Sequence, residues 1–204
     1  MQILSENLYK YIVNNFDIED EIKQEDIDKI TDLNINSFNN KLQEARFIPE
    51  ELSYFKNLQK CQFNSFLIND EIINNLEKLE KLDFLSLEHC EITGNKNIKN
   101  RIKKICLNYS DFNFINMLEN KNSLEKLVLK DIVNVDVNKI YEFMNLKELE
   151  LLNCSLLNAR YITQLEKLES IKIIGCELDI CSLLEKLREN VSVVFSRNKF
   201  MHVG

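Results

Sequence analysis

The stretch from Leu146 to Leu178 repeats itself. Leu146, Leu149, Leu151, Cys154 and Leu156 are each matched 22 residues later, by Leu168, Ile171, Ile173, Cys176 and Leu178. The fourth and sixth places of each copy keep the two-residue period of a strand with one buried face. A copy this short cannot bury that face alone, whereas stacked copies share one continuous core. The chain is thereby confined to an array of coils, one short strand per coil, with the strands side by side about 4.8 Å apart in a parallel sheet.

The frame extends in both directions. First-place residues are Ile30, Leu58, Leu82, Ile102, Leu124, Leu146, Leu168 and Asn190, at steps of 28, 24, 20, 22, 22, 22 and 22 residues. The inward pairs before the two central copies are Leu33 and Ile35, Cys61 and Phe63, Leu85 and Leu87, Ile105 and Leu107, and Leu127 and Leu129. Val193 and Phe195 follow them, and Phe200 closes the eighth unit. The ninth place, where the chain leaves the strand, holds Phe38, Phe66, Cys90, Ser110, Ile132, Cys154, Cys176 and Asn198. Apolar residues at helical spacing predict helical turns on the return path at Phe114–Leu118, Asn138–Met144, Arg160–Leu165 and Ser182–Leu187.

The spacing L-x-x-L-x-L-x-x-C-x-L resembles the leucine-rich repeat. The resemblance implies an α/β solenoid with a parallel sheet on its concave face and short helices and turns on its convex face. It points to the class of short repeats, about 22 residues long, found in intracellular and bacterial proteins. It also implies a non-enzymatic binding scaffold and, at the ninth place, a small residue that serves nearby backbone groups. Residues 1–29 carry Ile12, Val13, Phe16, Ile18, Ile22 and Ile27 at mostly helical spacings. They predict two short helices, the second starting near Gln24 or Glu25, as an N-terminal helical cap. The array of about eight repeats then fills residues 30–204. The phrase EDIDKITDLNI at 25–35 is similar to the start of the first repeat in internalin-like bacterial proteins.

Composition narrows the function classes. A net charge of −7 and a pI near 5.1 argue against a general nucleic-acid binder, which would carry a basic face. No run approaches the roughly 18 apolar residues of a membrane span, and the first residues lack the pattern of a secretory signal. A cytoplasmic chain is expected. Its six cysteines form no C-x-x-C pair, and three of them share the ninth place, so buried, reduced thiols are expected. No phosphate-binding glycine loop, H-E-x-x-H or EF-hand pattern is present, so no cofactor or metal is expected. The acidic run of Asp17, Glu19, Asp20 and Glu21 reads as solvated surface. So does the basic run Lys96–Lys104, which has no aromatic for base stacking.

Outward-facing places carry the candidate site. At the second place Asp83, Lys103, Glu125, Lys147 and Glu169 alternate in sign, which supports the sheet laterally and needs no ligand. Apolar residues at outward places are harder to explain by stability: Phe84 at the third, Val128 and Val194 at the fifth, Leu152 and Ile174 at the seventh. With His89 and Tyr109 at the eighth place, and Glu88, Lys130 and Asp131 as a polar rim, they form a diagonal band that fits a protein partner. The one nucleophile arrangement, Cys106 with His89, spans about 10 Å in this frame. Proton transfer needs about 3 Å. The expected function is therefore protein binding through the concave face. A regulatory or targeting subunit of an enzyme complex and a self-assembling array are the alternatives. The uncovered eighth strand also suggests a weak homodimer through the C-terminal end.

Overall fold

Eight five-residue strands form one parallel sheet in sequence order. They are β1 (Asp32–Asn36), β2 (Lys60–Asn64), β3 (Phe84–Glu88), β4 (Lys104–Asn108), β5 (Lys126–Lys130), β6 (Glu148–Leu152), β7 (Ser170–Ile174) and β8 (Ser192–Ser196). The structure is a computed structural model that describes residues 4–16, 18, 21–36, 49–176, 183 and 186–196. Phe38, Leu178, Asn198 and Phe200 of the repeat frame lie outside the described residues, as do Asp17, Glu19, Asp20, Cys181, Ser182 and His202.

The register follows the sequence frame. Asp32 lies opposite Lys60, Lys60 opposite Phe84, Phe84 opposite Lys104, and Lys104 opposite Lys126. Lys126 is opposite Glu148, Glu148 opposite Ser170, and Ser170 opposite Ser192. The irregular early steps are therefore absorbed in the loops, and every rung keeps the same residues facing inward. From β2 to β7 the second and fourth residues of each strand are buried.

The strand ends show why the coils close alike. The eighth-place residues Ser65, His89, Tyr109, Asp131, Asn153 and Gly175 all have positive φ, from 46° to 68°. Each backbone N–H donates to the carbonyl of the last residue of the next strand, for example His89 to Asn108 at 2.9 Å and Asn153 to Ile174 at 2.7 Å. At the ninth place a small polar side chain then links the rungs. Ser110 Oγ accepts from the Cys90 N–H at 3.0 Å and lies 3.1 Å from the Leu87 carbonyl, where it donates. Cys176 Sγ accepts from the Cys154 N–H at 3.4 Å and donates to the Leu151 carbonyl at 3.4 Å. Gly175 is required at its position: a Cβ there would overlap the side-chain oxygen of Asn153, and φ is +68°.

The return path is mostly 3₁₀-helical, with turns at Pro49–Tyr54, Phe112–Met117 and Ala159–Gln164 and a four-residue helix at Val137–Ile140. The expected helical stretch at Asn138–Met144 thus ends early, at Ile140. Of Ser182–Leu187 only Leu183, Lys186 and Leu187 are described. The sequence frame omitted a longer helix, Asp70–Leu76, which buries Ile72, Ile73 and Leu76 and is capped by Asn69 Oδ1 accepting from the Ile72 N–H at 3.0 Å. It also omitted two convex ribbons, Leu67–Ile68 with Glu91–Ile92 and Val135–Asp136 with Leu156–Leu157.

Two helices precede the sheet, α1 (Glu6–Asn15) and α2 (Gln24–Ile27). Leu8, Ile12, Ile22 and Ile27 join the same apolar core as the strands. Glu51 is 3% exposed and accepts from both the Ser5 N–H (2.5 Å) and the Ser5 hydroxyl (2.9 Å), which ties the start of α1 to the Pro49–Tyr54 turn. The Tyr11 hydroxyl accepts from the Asn34 N–H at 3.1 Å, on the outer edge of β1. No described helix is long and apolar enough to cross a membrane.

Ser110→Ala leaves the buried Cys90 N–H without its acceptor and is expected to cost about 1–3 kcal/mol in urea unfolding. Ser110→Cys, the residue found at this place in the sixth and seventh coils, should recover part of that loss. Equal stability of Ser110→Ala and wild type would remove the rung-to-rung role of the hydroxyl. Leu149→Ala, at a fully buried site, should cost about 2–5 kcal/mol in the same assay.

Candidate functional site

On the concave face the first, third and fifth residues of each strand point outward. Read across the rungs, the central column is Asn34, Gln62, Ser86, Cys106, Val128, Glu150, Lys172 and Val194. Its charged members are matched locally. Lys126 reaches Glu148 at 2.6 Å and Glu150 at 2.7 Å, and Lys172 lies 3.8 Å from Glu150. Hydrogen bonds to Glu148 and Glu150 hold the Lys126 ammonium above its ordinary range, and the Lys126 contact holds the Glu150 carboxyl below its own. The second-place column is matched too, with Asp83–Lys103 at 3.7 Å and Glu125–Lys147 at 2.9 Å.

The candidate residues do not form one continuous band. Phe84 on β3 is half-buried under the Lys104 ammonium, 4.8 Å from its ring centroid. Lys104 and Cys106 of β4 separate it from Val128 on β5. Leu152 and Ile174 are direct cross-strand neighbours, both half-buried. Val194 on β8 is 51% exposed, with Lys172 as its partner on β7. The apolar surface therefore gathers over β6–β8, with Val128 at its margin, while Phe84 stands apart. Lys130 is exposed at the end of β5, with its ammonium 4.0 Å from Asp131.

The remaining candidates make a second group. His89 and Tyr109 stack with ring centroids 5.0 Å apart and planes 13° from parallel, and Tyr109 is 59% exposed. Glu88 accepts from Asn64 Nδ2 at 3.2 Å and from Asn108 Nδ2 at 2.9 Å. Sequence spacing placed Glu88 at the rim but gave no sign of this clamp, because Asn64 and Asn108 are 44 residues apart in a chain rich in asparagine.

The Cys106–His89 arrangement does not assemble. Burial pushes the Cys106 thiol up, which keeps it protonated and poorly nucleophilic, while His89 lies against Tyr109. Among the described residues no three His, Cys, Asp or Glu side chains gather as a metal site.

The Lys126–Glu150 pair sets a pH dependence. Because the folded carboxyl is depressed, its contribution is fully present above the unfolded value of about 4.3 and is lost as pH falls through the lower folded value. The urea midpoint should therefore fall below about pH 4.3, and less steeply in Glu150→Gln. Parallel acid limbs in the two proteins would show that the pair adds nothing.

No family model matches the sequence, and no curated protein matches it. Among solved structures the chain is similar to internalin C2 of Listeria monocytogenes, with a TM-score of 0.58 at 21% identity, over 91% of this chain and 79% of that one. A second Listeria monocytogenes internalin aligns with a TM-score of 0.57 at 18% identity, over 97% of this chain and 64% of that one. Human trophoblast glycoprotein aligns with a TM-score of 0.56 at 16% identity, over 72% of this chain and 62% of that one. The chain thus spans under two thirds of the latter two structures. Together with the single parallel sheet and its regular register, these likenesses identify the fold: the chain is a leucine-rich-repeat solenoid.

Proposed function

We propose that this solenoid is a non-enzymatic module that binds a protein partner through its concave face. The observation that carries the reading is the pairing of Leu152 with Ile174 on the outward side of β6 and β7, with exposed Val194 diagonal to Ile174 on β8. Outward apolar neighbours add nothing to the buried core, and a contiguous apolar surface of this kind marks interaction sites. The charged side chains around it neutralise one another from rung to rung, which leaves no strong field for a nucleic-acid backbone.

The division of the chain fits the same reading. Residues 1–29 close the first coil, supported by Tyr11 on the β1 edge and by Leu8 and Ile12 in the core. Residues 30–204 form the binding array. Four of the five described cysteines are buried, which supports a reducing, cytoplasmic setting.

Affinity capture from the source cells, with wild type and with Leu152→Asp/Ile174→Asp as paired baits, tests the concave face. A partner held by wild type should bind the double variant at least about tenfold less. Circular dichroism and the urea midpoint establish that the variant is folded. Undiminished capture by a folded variant overturns the reading.

A further inference from the structure

Glu88 differs from the other carboxylates on the concave strands. Asp32, Glu148 and Glu150 each face a lysine ammonium, at 3.0, 2.6 and 2.7 Å. Glu88 has no cation partner among the described residues; both of its oxygens are held by neutral amides, one from the coil before and one from the coil after. Each amide is oriented for the purpose. Ser65 Oγ donates to Asn64 Oδ1 at 2.7 Å, which turns Asn64 Nδ2 toward Glu88. Asn108 makes the same commitment without compensation, since its buried Oδ1 has no hydrogen-bond partner. A buried orphan acceptor is costly, so the Asn108 amide holds Glu88 at the expense of its own oxygen.

The backbone beside this carboxylate is also strained. His89 and Tyr109 directly follow Glu88 and Asn108, and both are left-handed, with φ of 50° and 46°. His89, Asp131 and Asn153 carry side chains that tolerate that conformation, whereas the bulky ring of Tyr109 does not. The result is a stacked ring pair with its outer ring exposed, next to a fixed and uncompensated negative charge.

We propose that Glu88, Asn108 and the His89–Tyr109 stack form a site for the guanidinium of an arginine on the partner protein. The proposal rests on concave-face binding and names the chemistry that the face selects. A guanidinium is planar, stacks on an aromatic face and presents five N–H donors. Glu88, held in place by Asn64 and Asn108, neutralises its charge and accepts its N–H donors, and Tyr109 supplies the stacking surface. Lys130, the neighbouring cation on β5, is drawn toward Asp131. A lysine ammonium can also sit over an aromatic face, as Lys104 does on Phe84, but it lacks the planar fork that can stack on Tyr109 while presenting two donors to Glu88.

The test titrates N-acetyl-arginine methylamide into the full chain and follows the ring signals of His89 by NMR, which has only His202 as a second histidine. Saturable shifts with a Kd of about 1–10 mM are expected for one side chain. The neutral isostere, N-acetyl-citrulline methylamide, should give none, and the lysine analogue should bind at least about fivefold more weakly. Glu88→Gln should abolish the response. Tyr109→Asn relieves the backbone strain, so it should stay folded and still lose binding. No saturable shift, an equal response to citrulline or lysine, or full binding by folded Glu88→Gln overturns the arginine site. Partner capture that depends on Leu152 and Ile174 would then leave the concave-face reading standing. Arginine binding combined with capture indifferent to Leu152 and Ile174 would instead sink that reading and keep the site.

Discussion

The structure depends on the hydrogen bonds that join one coil to the next where each strand ends. A stacked coil must turn out of the sheet without stranding the polar groups of its backbone in the core. Here the left-handed residue at the eighth place gives its N–H to the next strand, and the ninth-place side chain takes the following N–H where it is Ser or Cys. The leucines can stay in register only because this handover recurs at fixed intervals. The thiols of Cys154 and Cys176 are therefore parts of the turn. The hydrogen bond to Cys176, together with burial, pushes the Cys154 thiol well above its ordinary range. Cys61, inside the sheet, is pushed up first by burial and then by the Asp32 carboxylate.

The concave face follows from the same geometry. Strands held in strict register place side chains from successive coils about 4.8 Å apart, close enough for lateral ion pairs. Lys126 between Glu148 and Glu150, and Glu125 beside Lys147, use that spacing to offset one another. Such exposed pairs contribute little stability singly. Their larger effect is to remove net charge from the middle of the sheet. The apolar neighbours over β6–β8 and the anionic, aromatic corner at β3–β4 are then the distinctive features of that face. They lie on separate strands of it.

At the β3–β4 corner two local rules of stability are broken together. Tyr109 occupies a backbone conformation that its side chain disfavours, and Asn108 leaves a buried oxygen unpaired. On later coils Asn153 and Asp131 hold the same left-handed place with suitable side chains, and the Asn153 amide donates to Asp131 at 2.9 Å; Glu77 Oε1 and Asn100 Oδ1 are also buried without partners.

The sequence by itself determined the fold. The apolar period fixed all eight strands, their order and their register, including the uneven early steps, because a one-residue slip would turn every inward leucine to solvent. It also gave the two N-terminal helices and the sign-alternating column that forms Asp83–Lys103 and Glu125–Lys147. The convex side was less legible. The Asp70–Leu76 helix sits in a longer early coil where the 22-residue frame gave no guidance, and the two-residue ribbons are too short to carry a pattern. Only the tertiary structure decided the site. The period said that Phe84, Leu152, Ile174, Tyr109 and His89 face outward, but not that Lys104 covers Phe84, that His89 stacks on Tyr109, or that two distant asparagines grip Glu88. Periodicity determines which face a side chain occupies; its partner on that face depends on rotamers and distances across coils, which no linear spacing encodes.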